Sequence, residues 1–428
     1  MKEVSNISKV YESILKGNET FFIQGAMQTP TFLLEKLEET LQNERKDVTN
    51  LRFIHLHTHG KPFYIREDFK ERCKTLNFFV GGNIRSAINY QNIDYIPCFL
   101  SEIPYLIRER VVPVDIALIQ VSRPDEHGYV SLGPSVDITK EAVKASKFVI
   151  AMINENVPRV YGDSFIHIND IDYGIQNDSA LHTVELNQIS TEEKKIGETI
   201  ASLIDDGSTL QMGIGAIPDA VLRELNGHKD LGIHTEMFSN GVIDLINKGV
   251  INNSKKKINP DKTITSFAVG DQTLVDFINK NPAVEFYPAN YVNKPKNIAK
   301  NPRVVAINSA VEIDLTGQVC ADSVGHRIIS GVGGQMDFMR GASISAGGKP
   351  IIAMASTTKK GVSKISSFLK KGAGVVTTRS HIHYVVTEYG YVNLYGKSIG
   401  QRAKDLISIA HPDHRERLEK EWIENFLN

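Results

Sequence analysis

The sequence predicts an α/β protein: two open α/β domains with mostly parallel sheets facing each other across a cleft. Three observations predict it. Short apolar runs alternate with stretches of helical period along most of the chain, the order that folds into parallel sheets covered by helices. Several runs, VDIALIQVS (114–122) and KFVIAMIN (147–154) among them, are continuously apolar, as strands buried on both faces are. The alternation lapses into polar, irregular sequence after Ile166 and restarts at Ser190, which divides the chain into domains 1–186 and 187–428 at Leu186.

Taken in order, Val4, Ile7, Val10, Tyr11 and Ile14 recur at helical spacing, and Gly17-Asn18 stops that helix before the strand Phe21 to Ile23. Gln24-Gly25-Ala26 is a loop, and Thr29-Pro30 opens the next helix. RFIHLHTHG (52–60) and LNFFVGG (76–82) read as further strands. Between the two apolar strands named above, Arg123 to Gly133 is turn-rich, with Pro124 and Gly128 marking a short hairpin. Ser190 and Glu193 form a capping box for a helix over Thr191–Leu203. The second half then shows strands in STLQMGIG, LGIHTEM, TITSFAVG, RVVAINSAVEIDL, KPIIAMAST and AGVVTTRSHIHYVVTEYG. Its helices run near Pro218 to Leu225, Gly241 to Asn247 and Gln272 to Asn279, and two more follow Ser398 and Pro412.

The composition excludes several classes of function. A formal net charge of -1 on 428 residues gives no basic excess for nucleic acid and no acidic tail for a cationic partner. Three cysteines, Cys73, Cys98 and Cys320, lie far apart without a CxxC pair, which speaks against a disulfide framework or a thiolate zinc site and for a reducing compartment. The first residues mix charge into a helical pattern and read as neither signal peptide nor membrane anchor, so a cytoplasmic protein is expected.

The candidate for chemistry is Glu236 in LGIHTEMFSNG (231–241), expected at the carboxyl end of a strand, where open α/β sheets bind ligands. A carboxylate there is ionised at neutral pH and attacks an activated acyl group without a neighbouring base. A solvated helix-cap glutamate is the plainer reading of the stretch alone. Upstream, Gln211-Met212-Gly213-Ile214-Gly215 runs from a strand through two glycines toward a helix, and backbone N–H groups at such a turn attract negative charge. Glu236 follows at a distance that also suits a dinucleotide-binding domain, with the acid on a ribose hydroxyl. The third glycine of that fingerprint is absent, because Pro218 stands there. A second loop, Ser330 to Ala342, carries Gly331, Gly333, Gly334 and Gly341, and a nicotinamide-binding half has no use for it.

Other residue clusters carry less. His55, His57 and His59 are expected to alternate along one strand face, and His381 and His383 to pair similarly, with no further ligand to complete a metal site. Lys255-Lys256-Lys257 reads as a solvated loop. Gly348-Lys349 is followed by Pro350, which excludes a triphosphate-binding loop, and no GxSxG elbow is present.

Together QMGIGAIPDAV, GIHTEMFSNGV, AINSAVEIDLTGQV, SGVGGQMDFMRGA and TEYGYVNLYGKS leading to IAHPDHRERL resemble the acetyl-CoA hydrolase/transferase family of class I CoA-transferases. PDEHGYVSLG and FLSEIP in the first half extend the resemblance to nearly the whole chain, and HTEMFSNG is most similar to the 4-hydroxybutyrate and butyryl-CoA:acetate transferases within the family. The resemblance implies two CoA-transferase domains and transfer of CoA between a short-chain acyl-CoA (butyryl-, 4-hydroxybutyryl- or acetyl-CoA) and a carboxylic acid such as acetate. It also implies a ping-pong cycle through a glutamyl-CoA thioester on Glu236. It assigns Asn308 to orienting the glutamate, Ile214, Gly215, Gly331, Gly333 and Gly334 to backbone and CoA contacts, and Gln211 to a polar contact with the acyl group.

No metal and no permanently bound cofactor are implied; CoA and acyl-CoA are substrates. A homodimer or homotetramer is implied, without nucleic acid or membrane. Arg379, Lys397 and Arg402 are candidates for the CoA phosphates, and Tyr391 to Tyr395 is bulkier than the family pattern. The alternatives are an acyl-CoA hydrolase on the same scaffold, a non-catalytic acyl-CoA-binding protein, and the nicotinamide enzyme.

Overall fold

The computed structural model describes residues 1–184, 188–213 and 215–427. It forms two α/β units. One comprises Met1–Val184 and Thr265–Tyr291, the other Glu185–Ile264 and Val292–Asn428. The boundary expected at Leu186 lies outside the described residues. Thr265–Tyr291 goes with the first unit.

The first unit is built on eight strands: β1 (Lys2–Glu3), β2 (Thr20–Ile23), β3 (Leu51–His55), β4 (Cys73–Asn77), β5 (Ile93–Tyr95), β6 (Ile116–Val121), β7 (Phe148–Ile153) and β8 (Tyr173–Gln176). They lie in the order β1-β8-β7-β6-β2-β3-β4-β5, and every neighbouring pair is parallel. All six residues of β6 are buried, which is why this stretch is apolar at every position but Gln120. Helices α1 (Ser8–Ile14) and α2 (Thr31–Asn43) pack Val10, Tyr11, Leu33, Leu37 and Leu41 into one core with Phe21 and Phe53, whose rings stack at 5.2 Å. The turn at Gly128 forms, with φ at +79°, and the strand after it, Tyr129–Ser131, is paired antiparallel to Phe165–His167.

The second unit opens with α3 (Thr191–Leu203), whose capping box of Ser190 and Glu193 is formed as its sequence demands. Its sheet contains β9 (Thr209–Met212), β10 (Gly232–Ile233), β11 (Val304–Ser309), β12 (Lys349–Ala353), β13 (Tyr384–Thr387) and β14 (Gly390–Asn393). The order is β10-β9-β11-β12-β13-β14, parallel except for the last, antiparallel pair. Its further helices include α4 (Ala216–Glu224), α5 (Gly241–Asn247), α6 (Gln335–Ile344) and α7 (Ile399–Ser408). The long runs predicted as single strands are broken. RVVAINSAVEIDL divides into β11 and Glu312–Asp314, and of the 373–390 run Tyr384–Thr387 and, after a turn, Gly390 at the start of β14 join the sheet. No helix among the described residues is long and apolar enough to cross a membrane.

Candidate active site

The stretch that carries Glu236 is held by the second unit's sheet until one residue before the glutamate. Leu231 to Thr235 are all buried, and the backbone of His234 donates to the Leu210 carbonyl at 3.1 Å. Thr235 then turns the chain. Its Oγ1 accepts from the Met212 amide at 3.3 Å and lies 2.9 Å from the Met212 carbonyl and 3.1 Å from that of Met237. Glu236 is the first residue of the stretch to reach solvent, three positions past β10 and five before α5 begins. The strand is shorter than predicted, and the carboxylate sits on the bend beyond it.

Two elements meet that carboxylate. The side-chain amide of Asn293 donates to Oε2 of Glu236 at 2.7 Å. Gly334, the residue capping the N-terminus of α6, packs so closely that a Cβ there would overlap Oε2 of Glu236 and the Asn293 amide. The Gly334 dihedrals of −94° and 7° suit any residue, so glycine is needed for the approach and not for the turn. Gly333 is the position that needs glycine for its backbone, with φ at +54°. A helix N-terminus presents unpaired N–H groups and the positive end of the helix dipole, so α6 favours negative charge at Glu236 and on any oxygen that takes its place.

Asn308, expected to orient the glutamate, is hydrogen-bonded instead to the other predicted polar residue. Its amide donates to Oε1 of Gln211 at 3.0 Å. The reason lies in the register, in which Gln211 sits opposite Ala306, so Asn308 shares its face of the parallel pair and the long glutamine side chain reaches forward to it. The asparagine on the glutamate is Asn293, which no sequence motif singles out. Gln335, next to Gly334, donates to the Ser309 carbonyl at 3.3 Å and so ties the start of α6 to the end of β11.

In the first glycine loop Gly215 caps α4 with φ at +124°, a conformation open to glycine alone, and no other described residue comes within 4 Å of a Cβ placed there. Ile214 lies outside the described residues. Gly331 is buried beside the turn that leads into α6.

His234 and Lys256 are two further residues without a motif. The His234 ring is buried, and its Nε2 donates to the Val292 carbonyl at 2.8 Å, one residue before Asn293. Burial, with the Lys256 ammonium nearby, pushes its pKa down to about 3, so the ring is neutral. Lys256 corrects the expectation of a solvated lysine run. Only 4% exposed, it donates from Nζ to the Ile233 carbonyl at 2.8 Å and also to that of Lys262. Gly232 leaves room for the lysine stem to pass.

The three-histidine strand face is also corrected. Only His55 lies in β3; His57 and His59 follow it in a loop, His59 stacking on His182 at 5.4 Å. His55 is fully buried and His57 packs beside Phe267, and burial lowers their pKa values to about 3 and about 4. Among the described residues no group of three His, Cys, Asp or Glu side chains is arranged to hold a metal. His381 bonds to Thr378 and His383 packs on Tyr395, so the two do not act as a pair. Of the cations considered for phosphates, Lys397 is paired with Asp405, Arg402 donates to the carbonyls of Lys397, Thr316 and Arg379, and Arg379 is exposed.

Residues 2–185 match the acetyl-CoA hydrolase/transferase N-terminal domain and residues 270–422 the C-terminal domain of the same family. Glu236 falls between the two matches. The chain is 50% identical to a 4-hydroxybutyrate coenzyme A transferase of Clostridium kluyveri over 91% of both chains. It is 48% identical to a succinyl-CoA:acetate/propanoyl-CoA:succinate CoA transferase of Fasciola hepatica over 95% of this chain and 85% of that one. Among solved structures, RipA from Yersinia pestis superposes with a TM-score of 0.93 at 34% identity, covering 100% of this chain and 98% of that chain. A 4-hydroxybutyrate CoA-transferase from Porphyromonas gingivalis gives 0.83 at 38%, covering 99% and 98%. The chain therefore belongs to the acetyl-CoA hydrolase/transferase family, and within it is a CoA-transferase.

Proposed function

We propose that this enzyme moves CoA between a short-chain acyl-CoA and a carboxylic acid such as acetate, with Glu236 as the group that carries CoA between half-reactions. Butyryl-, 4-hydroxybutyryl- and acetyl-CoA are the donors this reading favours, and the names of relatives near 50% identity add succinyl- and propanoyl-CoA to the panel to be tried. The observation that carries the reading is the Glu236 carboxylate, partly open to solvent, held by the Asn293 amide and set against the N-terminus of α6.

In this mechanism an oxygen of Glu236 attacks the thioester carbonyl, the carbon–sulfur bond breaks, and CoA leaves as the thiolate beside an acyl-glutamyl anhydride. The thiolate attacks the glutamyl carbonyl carbon of that anhydride, the original acyl group departs as its carboxylate, and CoA remains on Glu236 as a thioester. An acceptor carboxylate runs the same two steps in reverse. Every bond broken is replaced by one of its kind, so the exchange is close to thermoneutral and needs no ATP. Attack on the glutamyl carbon places negative charge on the oxygen that was Oε2. Asn293 is the donor on that oxygen, and one donor of this sort is worth about 3 kcal/mol of barrier.

Hydrolysis on the same scaffold is the second reading. It differs only in whether water reaches the intermediate, and an acetyl-CoA hydrolase of Eremothecium gossypii is related at 26% identity. Measuring CoA release from each acyl-CoA with and without acetate separates the two. Release that needs the acceptor supports transfer, and release at the same rate without it supports hydrolysis. The same reading has the protein working in the cytoplasm as a homodimer or homotetramer, an assembly that light scattering on the purified chain tests.

A further inference from the structure

We infer that His234 is a positioning residue for the transfer reaction: its imidazole, through the Val292 carbonyl, sets where the Asn293 amide meets Glu236. The inference rests on reading Glu236 as the nucleophile. His234 stands two residues before Glu236, and Val292 is the residue before Asn293, so the 2.8 Å bond from Nε2 to the Val292 carbonyl joins the two loops at the root of the Glu236–Asn293 contact. Val292 and Asn293 are also the first residues of the chain's return to the second unit after Thr265–Tyr291. A long excursion ends there, and the loop has to be placed by what receives it.

The bond is built into a fixed setting. His234 is 1% exposed, its backbone is held by the Leu210 carbonyl, and its ring meets the edge of Phe338 on α6 at 6.3 Å. The histidine thus touches all three parts of the site: the glutamate's strand, the asparagine's loop and the helix that begins at Gly334. Its Nδ1 is buried without a hydrogen-bond partner among the described residues. A buried unsatisfied ring nitrogen is destabilising. A packing residue has no reason to carry that cost, because leucine would fill the space without it. Phenylalanine and leucine supply no donor; among neutral side chains of similar reach, glutamine alone can bring an N–H to where Nε2 lies, since its amide nitrogen superposes on Nε2 and that of asparagine on Nδ1.

Those two amides supply the test. His234→Gln, His234→Asn and His234→Leu are compared with the unaltered enzyme in steady-state transfer from butyryl-CoA to acetate, with thermal unfolding run on each. The expected result is that Leu and Asn lose about 10- to 100-fold in kcat with KM little changed, the scale of a misplaced reacting group, and that Gln returns to within about five-fold of the unaltered enzyme. In an Asn293→Ala background, His234→Leu is expected to cost nothing more, because the group it positions is gone. A glutamine variant no better than asparagine at equal stability, or losses from His234→Leu and Asn293→Ala that simply multiply, would overturn the inference. If His234→Leu does not fold, the Gln and Asn pair decides alone. Mass spectra of the unaltered enzyme with butyryl-CoA keep the two claims apart: a CoA adduct on Glu236 with a negative His234 series sinks the positioning role alone, whereas no adduct sinks the reading on which it rests.

Discussion

The amide nitrogen of Asn293 lies 2.7 Å from Oε2 of Glu236, across 57 positions of sequence. That bond gives the two carboxylate oxygens different parts in the proposed mechanism. Oε2, held by the amide, becomes a carbonyl oxygen, and Oε1 is the nucleophile.

Removing that donor is expected to slow chemistry more than binding. Asn293→Ala should lower kcat by about 100-fold or more at nearly unchanged KM, the usual scale for loss of one oxyanion donor. Initial rates over a matrix of butyryl-CoA and acetate concentrations measure both parameters.

Gly334→Ala adds one methyl group where the Glu236 carboxylate and the Asn293 amide already sit. The backbone of Gly334 accepts alanine, so the fold should survive while the carboxylate is displaced, and a displacement near 1 Å is expected to cost about 100-fold in kcat. Circular dichroism together with transfer rates checks both halves of this expectation.

Glu236→Asp keeps the charge and withdraws the carboxylate by about one bond length, away from Asn293 and Gly334. It is expected to lose about 100-fold or more of transfer. Rates like those of the unaltered enzyme would end the assignment of Glu236.

Stability should fall in mild acid. His55 and His234 have folded-state pKa values of about 3, while in the unfolded chain they take the ordinary value of 6.5. Above that ordinary value both states bind the same protons and the contribution is flat. Below it the unfolded chain binds protons that the folded one refuses, so stability decreases as pH falls from about 6.5 toward about 3, by up to about 1.4 kcal/mol per pH unit for each histidine. Urea unfolding between pH 7 and pH 5 measures the slope, and His234→Gln should reduce it.

The sequence announces elements that are held by local rules. The Ser190–Glu193 capping box, the fully buried β6 and the helix beginning at Gly241 all follow from short-range pattern, whereas Glu236, expected at the carboxyl end of a strand, stands on the bend beyond it. Asn293 was not legible, because nothing near it in sequence marks it and its place is set by a bond from His234 to the carbonyl next door. Asn308 stands at a strand end where such a residue is expected, and the register gives its amide to Gln211. Lys256 is hidden for a related reason: a run of three lysines reads as solvated, and only the fold turns the middle one inward to the Ile233 carbonyl. The passage of Thr265–Tyr291 into the first unit has no local signature either.

The measurement that bears most directly on the central claim is the intact mass of the enzyme after incubation with butyryl-CoA in the absence of acceptor, followed by peptide mapping. A covalent CoA on the peptide containing Glu236, discharged on adding acetate and absent from Glu236→Gln, is the predicted result. Turnover of butyryl-CoA and acetate with no adduct under trapping conditions, or an adduct on any other residue, would contradict it.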